Sequence, residues 1–144
     1  MKRIVIDASV VIKWYLPDEK YGQAALEILD KYVSYEVELL APSLLESEVL
    51  NGLLIAKKRG RIKEEMLVTA VEGFINLEIE QKTLSFFYPE VIRFSESYGI
   101  SAYDASYLAV ANNESTHLVT ADETLYNKVK KDLKWVKWLG DFLI

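Results

Sequence analysis

The chain has 144 residues, 51% of them apolar and 27% charged, with a formal net charge of −5. That is an ordinary globular mix, long enough for one domain with a sizeable core. It has no cysteine and a single histidine, His117. This excludes a disulfide framework, an iron–sulfur cluster, a cysteine-built zinc site and any Ser-His-Asp triad not routed through His117.

The elements follow in order. Residues 3–7 read as a strand, a β-branched run Ile4-Val5-Ile6 closed by Asp7. Ser9 can cap a short helix over 9–15 that stops before Pro17. Asp18 can cap a second helix, with Tyr21, Ala24, Ala25, Ile28, Leu29, Tyr32 and Val33 at helical spacing. Residues 38–41 form a short strand. A third helix begins at Ser43 and runs to Lys58, with Gly60 past its end. Ile62, Met66, Leu67, Ala70, Val71, Phe74 and Ile75 mark a fourth helix. Residues 77–80 alternate as an edge strand does. Ser85 can cap a fifth helix that contains Pro89 in its first turn and stops at Gly99. Ser101 opens a sixth, over 102–112. Residues 117–120 are a strand, Thr120 or Asp122 caps a helix to Lys131, and residues 135–139 are the last strand. Strands alternating with helices predict an α/β fold, a parallel sheet covered by helices on both faces.

Residues 1–144 read as a single domain without repeats or linkers. Asp7 and Lys13 interrupt the apolar start, so it does not read as a signal peptide, and no apolar run is long enough to cross a membrane. The expectation is a soluble cytoplasmic protein with no membrane partner. The acidic net charge weighs against non-specific phosphate contacts. If several carboxylates hold cations, however, the remaining surface is near neutral.

Four acids are out of place. Aspartate is a poor strand residue and expensive to bury, yet Asp7 ends a buried-looking strand. It is either a turn-forming cap or a ligand at the carboxyl end of the sheet. Glu48 lies in a helix with apolar residues around most of its circumference, which predicts burial. Ser47 and Asn51 project close to it. Glu46 has capping-box spacing from Ser43 and needs no function. Glu48 is the stronger candidate, although two acids so close leave the facing residue to be settled. Asp104 stands three after Ser101, as a capping box would place it, but shares a face with Tyr107, Leu108 and Ala111. Asp122 follows a strand whose cap role Thr120 and Glu123 can fill. Together these are four oxygen donors with no histidine or cysteine, a set that suits Mg²⁺ or Mn²⁺. Such a centre activates water and steadies charge on a phosphoryl group.

No phosphate-binding glycine loop is present. His117 reads as a strand residue. Trp14, Tyr15, Trp135 and Trp138 read as core or dimer-surface residues, with base stacking as the alternative. The runs Lys57-Lys58-Arg59-x-Arg61-x-Lys63 and Lys128-x-Lys130-Lys131-x-x-Lys134 read as solvated helix ends, with phosphate contact as the alternative.

The chain resembles the PIN-domain ribonucleases, and more narrowly the VapC-type toxins. The likeness is carried by Ile4-Val5-Ile6-Asp7-Ala8-Ser9, by Pro42-Ser43-Leu44-Leu45-Glu46-Ser47-Glu48-Val49, by Tyr103-Asp104-Ala105-Ser106-Tyr107-Leu108-Ala109, and by Leu118-Val119-Thr120-Ala121-Asp122. Four motifs in this order cover essentially the whole chain. The resemblance implies a PIN-like three-layer fold with a central parallel five-stranded sheet. It also implies an Mg²⁺- or Mn²⁺-dependent endoribonuclease, with Asp7, Glu48, Asp104 and Asp122 as catalytic and metal-ligating acids. Ser9, Asn51 and Thr120 would be supporting polar groups. The implied partners are an RNA substrate, a small antitoxin and a second copy in a homodimer. The alternatives are a non-catalytic PIN-like module that binds RNA or protein, and an RNA-processing nuclease that is not a toxin.

Overall fold

The structure, a computed structural model, describes residues 2–16 and 18–142. Pro17, the expected stop of the first helix, lies outside them. Five parallel strands form one sheet in the order β3-β2-β1-β4-β5. They are β1 (Lys2–Ile6), β2 (Val37–Pro42), β3 (Glu80–Lys82), β4 (His117–Thr120) and β5 (Val136–Trp138). The chain moves outward from β1 through β2 to β3, then returns to lay β4 against the other side of β1. The order therefore reverses between β1 and β4, where open α/β sheets bind ligands. Ile6 stands opposite Val119 at that junction. Ile4, Val5, Ile6, Leu118 and Val119 are fully buried, as a strand covered on both faces requires.

Among the described residues seven α-helices cover the sheet: α1 (Ala8–Tyr15), α2 (Gly22–Val33), α3 (Leu45–Lys58), α4 (Glu64–Asn76), α5 (Tyr88–Tyr98), α6 (Ala102–Asn113) and α7 (Glu123–Val129). Helix α6 is buried without interruption from Ala105 to Ala111. Its alanines and Ser106 allow close packing there. Trp14 ties α1 to α2 by donating its indole N–H to the Ala25 carbonyl at 2.8 Å. Gly52 lets α1 approach α3, since a Cβ there would meet the Ile12 side chain at 2.2 Å.

Several expected boundaries and caps are corrected. Asp18 does not cap α2, which starts at Gly22 after Tyr21 in the left-handed region. Asp18 instead pairs with Arg61 at 3.2 Å. The third helix starts at Leu45 rather than Ser43, with no side-chain cap, so the Ser43–Glu46 capping box does not form. Nor is that helix buried all round: Leu50, Leu54 and Ile55 are each about two-fifths exposed. The edge strand sits at Glu80–Lys82 rather than 77–80. Ser85 lies in a short 3₁₀ turn and caps nothing, because α5 begins at Tyr88 behind Phe87. No helix among the described residues is long and apolar enough to cross a membrane.

Candidate active site

The carboxyl ends of β1 and β4 and the near ends of α3 and α6 meet at one rim. Asp7 occupies the N-cap position of α1, but its side chain caps nothing. It is 6% exposed, and its two oxygens are held by two hydroxyls. The Ser9 hydroxyl donates to Oδ1, and the Thr120 hydroxyl donates to Oδ2 at 2.5 Å. These hydroxyls accept in turn: Ser9 Oγ from the Ala121 N–H at 2.9 Å, and Thr120 Oγ1 from the Asp122 N–H at 3.0 Å. Asp7 is thereby locked across the β1–β4 junction. Burial pushes its carboxyl up to about 6; the two hydroxyls pull it back, and the charge of Asp122 adds to the rise.

Glu48 faces this rim from α3, half-buried, while Glu46 is exposed. The Tyr107 hydroxyl of α6 donates to Glu48 Oε1 at 2.5 Å. Burial raises the Glu48 carboxyl, Tyr107 opposes the rise, and the charges of Asp104 and Asp122 add to it. Asp104 stands in the first turn of α6, where the Ser101 hydroxyl accepts its backbone N–H at 3.1 Å. Its side chain is half-buried, and its pKa is raised by burial and by Asp122. The cation acting on it, Lys128, donates to the Gly99 carbonyl at 3.3 Å.

Of the two expected caps for α7, Thr120 and Asp122, it is Asp122 that serves, so this acid has a structural role as well. It is the N-cap of α7, and its Oδ1 accepts the Leu125 N–H at 3.1 Å. Thr120 does not cap that helix but bridges Asp7 and Asp122. Asn51 is exposed and lines, with Glu48, Ser47 and Tyr103, a cleft of about 430 Å³ between α3 and α6. Tyr107 was readable only as core. Its ring is 1% exposed, but a buried tyrosine hydroxyl needs a partner, and the partner here is Glu48. That requirement was the available signal.

Among the described residues none of the four acids forms a salt bridge. Nor do any three close into a ready-made cation cage. Glu48 Oε2, Asp122 Oδ2 and the Asp104 carboxylate keep oxygens with no protein hydrogen bond among the described residues. Three carboxyls raised by burial and by neighbouring acid charge, beside Asp122, with free oxygens and no paired cation among the described residues, form a donor set that fits a hard divalent ion.

A PIN-domain family model matches residues 4–131. The chain is 31% identical over 134 residues to ribonuclease VapC3 of Pyrobaculum aerophilum, covering 88% of this chain and 94% of that protein. It is 34% identical over 123 residues to ribonuclease VapC9 of Mycobacterium tuberculosis, covering 83% and 85%. Among solved structures it resembles PAE2754 from Pyrobaculum aerophilum, with TM-score 0.66 and 22% identity over 96% of this chain and 92% of that one. It also resembles FitAcB from Neisseria gonorrhoeae, with TM-score 0.61 and 16% identity over 96% and 99%.

Proposed function

The chain belongs to the PIN-domain family, among its VapC-type ribonucleases, and from that membership we propose that it is the endoribonuclease toxin of a type II toxin–antitoxin pair. It hydrolyses RNA phosphodiester bonds at the rim of Asp7, Glu48, Asp104 and Asp122. Its regulator is a small antitoxin protein. The observation that carries the reading is the rim itself: four carboxylates from separate elements, none in a salt bridge among the described residues, at the switch point of a parallel sheet.

Asp7, Glu48, Asp104 and Asp122 would hold Mg²⁺ or Mn²⁺. Such an ion supplies charge neutralisation at the phosphate and makes water more acidic. The chain's own groups do the positioning. Ser9 and Thr120 fix both oxygens of Asp7 and so fix the direction of its remaining lone pairs. Tyr107 holds Glu48 by one oxygen and leaves Oε2 turned to the rim. The capping bonds of Ser101 and Asp122 set where α6 and α7 begin, and so place Asp104 and Asp122. A phosphodiester is itself an anion, so it approaches this rim only when the carboxylate charge is balanced.

The test is cleavage of single-stranded RNA with Mg²⁺ or Mn²⁺, with and without EDTA, by the wild type and Asp104→Asn. The expected result is EDTA-sensitive cleavage that drops roughly 100-fold or more in the variant. Equal cleavage by a folded Asp104→Asn protein removes Asp104 from the site, and EDTA-insensitive cleavage removes the cation.

A further inference from the structure

A second concavity lies against the edge strand β5 and the end of α7. It encloses about 720 Å³ and is lined by Lys2, Lys130, Lys131, Lys134 and Lys137, with Asp141 as the acid on its wall. His117, at the amino end of β4, also lines it. Five like charges around one cleft repel one another, and Asp141 is the one acid among the described residues that lines it. Among the described residues none of the five lysines forms a salt bridge, whereas Lys13, Lys31, Lys57 and Lys82 all do. Lys2 stands over the Phe142 ring and Lys130 over the Tyr126 ring; these contacts orient the ammonium groups without neutralising them. In a chain of net charge −5, such a concentration is an anion-binding feature.

The cleft adjoins a second groove. Tyr126 and Trp138 form part of its wall and part of the wall of a neighbouring groove of about 390 Å³. That groove is lined by Lys13, Lys20 and Tyr21, by Ala121, which stands between Thr120 and Asp122 in the chain, and by one acid, Glu123. The Tyr126 and Trp138 rings lie 5.4 Å apart, and Tyr21 meets Trp138 edge-on at 5.6 Å. Five ammonium groups, none in a salt bridge among the described residues, and a cluster of aromatic rings thus line two adjoining concavities, the second of which reaches Ala121, next to Asp122 in the chain. Ammonium groups that track a backbone and aromatic rings that take bases are the two parts of a single-stranded nucleic-acid site. Lys134 and Lys137 lie beyond the residues matched by the family model.

We propose that this lysine cleft anchors the phosphate backbone of single-stranded RNA away from the carboxylate rim, and that the groove past Trp138 leads the strand to it. The proposal rests on the ribonuclease reading for the identity of the polyanion. It favours RNA over an acidic protein tail because aromatic rings that can take bases stand in the wall beside the lysines.

The test is fluorescence anisotropy in EDTA with RNA of about 4 and about 16 nucleotides, across a salt series. Wild type is compared with combined Lys130→Gln, Lys131→Gln and Lys134→Gln, and separately with Lys137→Gln. Glutamine avoids placing acids at the carboxyl end of α7. The expected result is tighter binding of the longer RNA by wild type, an advantage the triple variant loses. The slope of log K against log salt falls by about 2, as three lost phosphate contacts require. Unchanged affinity and slope overturn the anchor, as does loss of polyglutamate binding with RNA binding intact. Lysine-dependent RNA binding without cleavage in Mg²⁺ or Mn²⁺ supports the anchor and sinks the ribonuclease reading. Cleavage by wild type, with binding untouched in the triple variant, sinks the anchor alone.

Discussion

Strand β1 and helix α6 run in opposite directions between two clusters of carboxylates. At one end Glu38, Glu80 and Glu114 surround Arg3, which reaches them at 3.1, 2.8 and 3.2 Å. Lys82 adds bonds to Glu80 at 3.3 Å and Glu114 at 3.0 Å. At the other end stand Asp7, at the tip of the same strand, and Asp104, in the first turn of the same helix, with Glu48 and Asp122. The first cluster holds three acids and two cations; the second holds four acids and, among the described residues, no paired cation. The consequences are opposite in sign. Lys82 and Arg3 depress the Glu114 carboxyl despite its partial burial, whereas burial and mutual repulsion raise Asp7, Glu48 and Asp104. One end is a structural staple, and the other stores unfavourable charge that folding alone does not relieve.

The largest effect that sharpens this contrast is expected from Asp7→Asn. Cleavage falls by roughly 100-fold or more, while the folded protein becomes more stable at neutral pH. The folded pKa is raised from 3.8 to about 6. The native state therefore binds the extra proton between those values. The contribution to stability is present below the lower value and is lost as pH rises through the upper one. Two pKa units correspond to up to roughly 2–3 kcal/mol. Denaturant midpoints against pH should lose this slope in the variant. A variant less stable than wild type at pH 8 contradicts stored charge at Asp7. A second, comparable effect comes from Mg²⁺ or Mn²⁺: saturating ion raises stability by about 3 kcal/mol at a hundred times its dissociation constant. The rise in Tm should vanish in Asp104→Asn. If the ion stabilises that variant as much as wild type, it binds elsewhere.

The two clusters were not equally legible in the sequence. Asp7 stood out because a carboxylate at the tip of Ile4-Val5-Ile6 conflicts with strand propensity, and the sheet order puts it at the switch point. Glu48 was found on a premise that holds for one side of its helix: Leu45, Val49 and Leu53 are buried, but Leu50, Leu54 and Ile55 are not. Periodicity counts apolar positions and does not know which face lacks a partner. Of the two caps that the sequence offers for α7, Thr120 and Asp122, the structure uses Asp122. Asp18 and Ser85 read as caps, but pairing with Arg61 and a 3₁₀ turn claim them instead. A cap is worth about 1 kcal/mol, so distant contacts easily overrule it. The Arg3 staple was invisible, because its members stand 35, 77 and 111 positions apart, and only the sheet register brings them together.

A smaller effect is expected at Tyr107. Phenylalanine keeps the ring and removes the 2.5 Å bond to Glu48, leaving a half-buried carboxylate without its donor. The loss is about 1–2 kcal/mol. It is greatest at pH values where Glu48 is ionised, because that bond stabilises the charged form. Cleavage falls about tenfold, as for a partner that orients a ligand. A Tyr107→Phe protein with wild-type cleavage shows that Glu48 needs no positioning.

The smallest effect tests the paired end. Glu114→Gln removes the acid shared by Arg3 and Lys82. Its folded pKa is lowered from 4.5, so its contribution is present above that value and lost as pH falls through the folded one. The sign is the reverse of Asp7. Glu114 is 19% exposed but its partners are about one-third exposed, so water screens the pairs and the expected loss is roughly 1 kcal/mol. The loss should shrink in high salt and disappear in acid. Cleavage should be unchanged, because Glu114 and Asp104 stand at opposite ends of α6. If Glu114→Gln cut RNA as poorly as Asp7→Asn, the two ends would be one coupled network, and the separation of staple from site would fail.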